Sequence, residues 1–229
     1  MLAKDCSEAY QALSLMKRFL FLLLGLLASC RPTAPGVKVQ PWALMEGVLA
    51  GAWQQAGIPE EGPIALKDGD LEIGIGAPMT GAKFTGWDQA GMPGTGYTIR
   101  YETMRVEGRD IFGMCTFPVS SHEAHATFVI GGWGGTVTGL SSLDFLDASE
   151  NATRAEQTFQ NGVWYAVRIE VRPEDIRVWI NDRPVVNASI KGKKVSLRPG
   201  DIDHCLPFGF ATWGTKAKVR KVFVAVLQD

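Results

Sequence analysis

The run Gly131-Gly132-Trp133-Gly134-Gly135 sets one tryptophan between pairs of glycines, and Asp144, Asp147, Ser149, Glu150 and Asn151 follow closely. Glycines let a backbone pass close to a bulky group or a ligand. Sugars offer flat C–H faces to aromatic rings and hydroxyls to carboxylates and amides. Trp133 with Asp144, Asp147 and Asn151 therefore has the makings of a saccharide subsite. The same residues also suit a packed Ω-loop, with Trp133 capping the core and the acids making turns. Sequence leaves both readings open.

Other chemistries are poorly served. Calcium takes about six to eight oxygen ligands, and the acids after Trp133 lack the D-x-[DN]-x-[DN]-G spacing. His122-Glu123-Ala124-His125 lacks the H-E-x-x-H spacing of helical zinc sites. No metal and no cofactor is assigned. The chain has no G-x-S-x-G, no G-K-[ST] after a glycine loop and no strand–helix G-x-G-x-x-G. Its 23 basic and 24 acidic residues leave a net charge of −1, which argues against a nucleic-acid partner. Cys115 and Cys205 can form a disulfide in an exported protein or serve as two buried apolar thiols.

These residues need a scaffold, and its clearest signal lies at residues 162–186. Val163, Tyr165, Val167, Ile169 and Val171 alternate with Trp164, Ala166, Arg168, Glu170 and Arg172. That period of two marks a strand with one face in the core. Pro173-Glu174-Asp175 turns the chain, Ile176, Val178 and Ile180 resume the alternation, and Asn181-Asp182 turns it again. Val163, Tyr165, Val167, Ile169, Val178 and Ile180 are the expected core. Further strands are expected at residues 66–74 (a hairpin), 97–106, 111–119, 126–130, 195–197, 208–213 and 219–227. Residues 50–55 read as an edge strand or a helical turn, 74–94 as loop, and 149–159 as a polar stretch before the hairpin. Many short strands separated by turn signals predict an all-β sandwich of two antiparallel sheets.

A tryptophan opening an alternating strand, a charged turn, then Trp179-Ile180-Asn181-Asp182 before another strand resembles the concanavalin A-like jelly rolls. Within them it is most similar to the bacterial 3-keto-disaccharide hydrolase-like family. Trp164-Tyr165 stands where that family often has W-N, and Asn181-Asp182 replaces Asn-Gly. The resemblance extends over residues 51–227 and implies a jelly roll acting on a saccharide or glycoside. The implied chemistry uses a ketone at C3 of a sugar, which acidifies the hydrogen on C2; a base removes that proton and the C1 substituent leaves. Under this resemblance Glu102, His125 and Asp144 are the candidate bases, Arg100 the partner of the ketone oxygen, and Trp133 and Asn151 the sugar contacts. Jelly rolls also serve as non-catalytic carbohydrate-binding or envelope interaction modules, and fold does not fix function.

The N-terminal region sets an expected compartment. Met16-Lys17-Arg18 precedes an apolar run to Leu27, then Ala28-Ser29-Cys30, the pattern of a secretory signal. The run is well short of the ~20 apolar residues that span a bilayer. Leu27-Ala28-Ser29-Cys30 resembles the bacterial lipobox, whose cysteine is lipidated. Arg31 rather than Asp after it points to the outer membrane. The residues before Met16 fit no signal pattern and suggest a non-native upstream start. The expected organisation is a signal over residues 1–30, a Pro- and Gly-containing tether over 31–46 and a jelly-roll domain over 47–229. The protein is thus expected in the cell envelope, meeting the membrane through its lipid anchor only. Cys30→Ala should release the mature protein from the membrane fraction and abolish acylation, read by fractionation and mass spectrometry of the N-terminal peptide. Unchanged acylation in that variant would refute the lipoprotein assignment.

Overall fold

The computed structural model describes residues 41–120 and 124–228. The signal, Cys30, most of the tether, and His122 and Glu123 lie outside the described residues. Among the described residues fifteen strands are numbered in chain order. One sheet has eight: β1 (Trp42–Ala43), β3 (Ile64–Lys67), β4 (Asp70–Ile73), β6 (Tyr97–Glu107), β11 (Trp164–Val171), β12 (Asp175–Ile180), β13 (Arg183–Ser189) and β15 (Lys216–Val226). The other has seven: β2 (Trp53–Gln55), β5 (Met79–Phe84), β7 (Phe112–Val119), β8 (Ala124–Gly132), β9 (Val137–Ser141), β10 (Ala155–Glu156) and β14 (Phe208–Trp213). The first runs β13-β12-β11-β6-β15-β4-β3, with β1 beside β15, and the second β10-β9-β8-β7-β14-β5-β2. All pairings are antiparallel. The fold is the expected all-β, concanavalin A-like jelly roll.

Alternation builds the core. Tyr165, Val167, Ile169 and Val171 from β11 and Ile176, Val178 and Ile180 from β12 are buried, as the period of two requires. Val163 is the exception. It precedes β11 in the turn after Asn161-Gly162 and is 39% exposed, so the core face begins at Tyr165. Facing side chains from the other sheet include Phe84, Phe117, Phe128, Phe208 and Phe210. Three β6 hydroxyls reach across the sandwich to β7 carbonyls: Tyr97 to Pro118 at 2.7 Å, Tyr101 to Gly113 at 3.3 Å and Thr103 to Phe112 at 3.1 Å. Each buried donor is thereby satisfied. Burial raises both tyrosine pKa values well above the ordinary phenol, so these bolts stay protonated.

Some boundaries differ from the sequence expectation. The domain starts before residue 47, because Trp42–Ala43 pairs with β15 and Leu44 is wholly buried. Residues 47–55 form both a one-turn helix (Gly47–Ala50) and an edge strand. β5 lies inside the expected 74–94 loop, whereas 149–159 holds only the two-residue β10. Val195 makes a single bridge to Leu143 in place of a strand.

Val167→Asp should lower stability by at least about 2 kcal/mol, because a carboxyl would sit among fully apolar neighbours. Chemical denaturation measures it, and an unchanged midpoint would contradict an inward-facing Val167.

Candidate functional site

The seven-stranded sheet is unusual because its central strands are buried on both faces. Cys115, Phe117, Phe128, Ile130 and Phe210 point into the sandwich core, so Met114, Thr127, Val129 and Ala211 point outward. Part of that outer face is covered by the segment leading into β14. Its 3₁₀ helix (Asp201–Cys205) packs Ile202 and Cys205 against Ala56, Ile58, Met79, Met114 and Ala211, a second small apolar cluster. Gly81 allows this close approach, since a Cβ there would lie 2.6 Å from the Ala56 Cβ and 2.9 Å from Cys205 Sγ. The two cysteines therefore occupy different faces of one sheet, and both are free thiols. Burial pushes the Cys205 pKa up to about 12 and raises that of Cys115 well above the ordinary thiol value, so neither offers a thiolate.

Beside the cover a cleft of about 230 Å³ remains open on this outer face. Its floor is Met79 from β5, Met114 from β7, Thr127 and Val129 from β8, and Ser141 from β9. Trp133, Ile111 and Trp213 border one end, and Arg198, Pro199, Gly200, Asp201 and Ile202 form a wall. The two indoles are 42% and 43% exposed. Trp133 sits in the tight turn between β8 and β9 at φ 51°, the left-handed region. Asp110 fastens that turn, accepting the Gly134 N–H at 2.9 Å and the Ile111 N–H at 2.8 Å. At neighbouring Gly135 a Cβ would meet the Arg109 carbonyl oxygen at 2.4 Å, and its φ of 114° suits glycine alone.

The polar side of the cleft centres on Asp147. Its Oδ1 accepts the Ser141 hydroxyl at 2.5 Å and the Ala148 N–H at 2.9 Å, while Oδ2 lies 2.7 Å from an Arg198 guanidinium nitrogen. The carboxylate side chain is 14% exposed and its arginine partner 65%. An ion pair with one partner so exposed is worth about 1 kcal/mol or less.

The structure disperses most of the residues singled out from sequence. Trp133 lines the cleft. Asp144 is exposed at φ 51° in the Leu143–Leu146 turn, where its Oδ1 accepts the Lys194 N–H at 2.9 Å. Asn151 is buried and turned inward, its amide donating to the Leu140 and Leu146 carbonyls and its oxygen accepting from Thr153. Both border a separate depression, so they hold the loop instead of meeting Trp133. His125 shares the outward face of β8 with Thr127 and Val129, one outward position before Thr127 and outside the cleft lining. Glu102 and Arg100 lie on the opposite side of the molecule, on the outer face of the eight-stranded sheet. There Trp179 and Trp164 are covered by the guanidinium groups of Arg168 at 3.6 Å and Arg220 at 3.9 Å. Among the described residues no group of three or more His, Cys, Asp or Glu converges to hold a metal. Sequence reasoning missed Ser141, Arg198, Asp201 and Trp213, which come from segments far apart in the chain and carry no local motif.

A two-sheet antiparallel jelly roll with an open cleft on one outer face defines the class. The chain belongs to the family of 3-keto-alpha-glucoside-1,2-lyase-like domains, which it matches over residues 81–225, more than half its length. Among solved structures it is similar to a galectin-like-fold protein of unknown function from Bacillus subtilis (TM-score 0.54, 12% identity, 82% of this chain and 95% of that one). It is also similar to the Crh5 transglycosylase (TM-score 0.52, 6% identity, 83% and 84%). A third is the carbohydrate-binding module CBM66 from Bacillus subtilis (TM-score 0.50, 13% identity, 75% and 93%). At such identities these likenesses establish the fold. No curated protein matches the chain.

Glu102 accepts Arg220 Nε at 2.7 Å and Lys221 Nζ at 2.8 Å. Burial alone would raise its pKa, but these hydrogen bonds and charges outweigh it and hold the carboxyl below its ordinary 4.5. Its stabilising contribution is therefore complete above pH 4.5 and is lost as pH falls through the lower folded value. Glu102→Gln should lower the thermal midpoint at pH 7, with the gap to wild type closing in acid, as melting curves at several pH values will report.

Proposed function

We propose that the cleft binds a glycoside carrying a ketone at C3, and that Asp147 is the base that acts on it. The reading rests on one observation: the carboxylate of Asp147 stands in the cleft between Ser141 and Arg198, across from the half-exposed Trp133, in a member of the 3-keto-alpha-glucoside-1,2-lyase-like family. The ketone withdraws electrons from C2, so the C2–H bond breaks with its proton passing to the carboxylate. The electron pair forms a C1–C2 double bond conjugated with the ketone. The C1–O bond breaks, and the leaving oxygen takes a proton from solvent. Water then adds at C1, giving one proton to solvent, while C2 takes back the proton held by Asp147. Arg198, released from Asp147 by the substrate, supplies positive charge as the ketone oxygen becomes enolate-like. Trp133 offers its exposed indole to the C–H face of the ring.

A second reading draws on the occupancy of that same carboxylate. Asp147 already accepts a hydroxyl, an amide and a guanidinium. A domain that uses it only to orient sugar hydroxyls is a carbohydrate-binding module, without turnover. In either case we place the protein in the cell envelope, anchored through Cys30.

A 3-keto-glucoside should be cleaved and the parent glucoside left intact. Asp147→Asn should reduce turnover at least about 100-fold, the usual scale for loss of a general base, with binding retained by calorimetry. Trp133→Ala should weaken binding of either compound with the melting temperature preserved. Binding without cleavage would select the module reading. Absence of both, in folded protein, would reject each.

A further inference from the structure

We infer that the glycoside taken by this cleft carries an apolar, ring-sized aglycone in place of a second sugar; this rests on the function proposed above. Polar and apolar atoms are divided unevenly across the sheet. Polar groups gather at the β9 side, where Ser141, Asp147 and Arg198 meet, and the other lining acid, Asp201, is exposed on the wall. From β8 onward the floor is apolar except for Thr127, whose hydroxyl is already engaged with Thr116 Oγ1 at 3.0 Å. Val129, Met114 and Met79 continue the floor, Ile111 and Trp213 border its end, and Ile202 stands over it.

A hexose enclosed on that apolar side would leave several hydroxyls without partners, and each buried unsatisfied group is costly. An apolar ring has no such requirement and gains from contact with methionine and indole. Strands lie about 4.8 Å apart, so β9 and β7, two spacings away, sit about 10 Å apart. A sugar bound over β9 and β8 therefore directs its C1 substituent onto Met114 and Trp213. Trp133 then faces the sugar, and Trp213 the aglycone.

The test compares three 3-keto-glucosides that share one sugar and differ at C1: methyl, phenyl and glucosyl. Wild-type protein is assayed for kcat/KM and, by calorimetry, for binding with the Asp147→Asn variant. The phenyl compound should exceed both others by at least about tenfold, a fraction of what burying a phenyl ring provides. Ile111→Ser, at a half-buried rim position, should narrow the phenyl-to-methyl ratio while the glucosyl-to-methyl ratio holds. If Ile111→Ser does not fold, Trp213→Ala at the exposed rim gives the same comparison. A glucosyl compound handled as well as or better than the phenyl one would overturn the inference and leave the proposed function standing. If none of the three binds or reacts, the proposed function falls and the inference with it.

Discussion

Contact between Ile202 and Cys205 and the outer face of the seven-stranded sheet is the interaction on which the site depends. A sandwich sheet with one solvated face alternates apolar and polar residues. Here the cover makes Met79, Met114 and Ala211 apolar on the outside too, and the central strands become continuously buried. Where the cover stops, the same apolar floor continues into the cleft. The 3₁₀ turn is thus both a second small core and one wall of the site. Gly81 is its necessary counterpart, since the chain could not otherwise come so close.

This double burial also decides what sequence could and could not tell. Strands β11 and β12 bury one face and leave the other half-buried and polar or aromatic, so period two, core residues and turns are readable, apart from the exposed Val163. β5 bears Gly81 and side chains buried on both faces, and it reads as loop for that reason. The glycine-flanked Trp133 lines the cleft. Which acid joins it was not legible. Asp144, Asp147 and Asn151 are separated by three or four positions, and with Asp144 and Phe145 at positive φ the turn leaves Asp147 facing the cleft. Arg198 and Trp213 reach the cleft only through tertiary folding, from sequence that carries no motif.

The two outer faces of the sandwich have been put to different uses. On the eight-stranded sheet Glu102 is held by Arg220 and Lys221, Glu170 by Arg168 and Arg172, and the indoles of Trp164 and Trp179 lie under arginines. Charges there are spent on one another, and the aromatic faces are already stacked. The seven-stranded sheet has the reverse character, with few charges, an apolar floor and indoles open to solvent. Glu102 and Arg100 have side chains suited to the chemistry, but they sit on the face that binds itself.

The exposure of Trp133 and Trp213 also has an optical consequence. Trp87 is wholly buried, Trp42 and Trp53 are half-buried, and Trp164 and Trp179 are screened by guanidinium groups, so the cleft indoles are the most exposed tryptophans among the described residues. A small aqueous quencher such as acrylamide will extinguish their emission first. Filling the cleft shields that fraction and shifts its emission toward the blue, so the protein carries its own fluorescent gauge of occupancy without any attached dye.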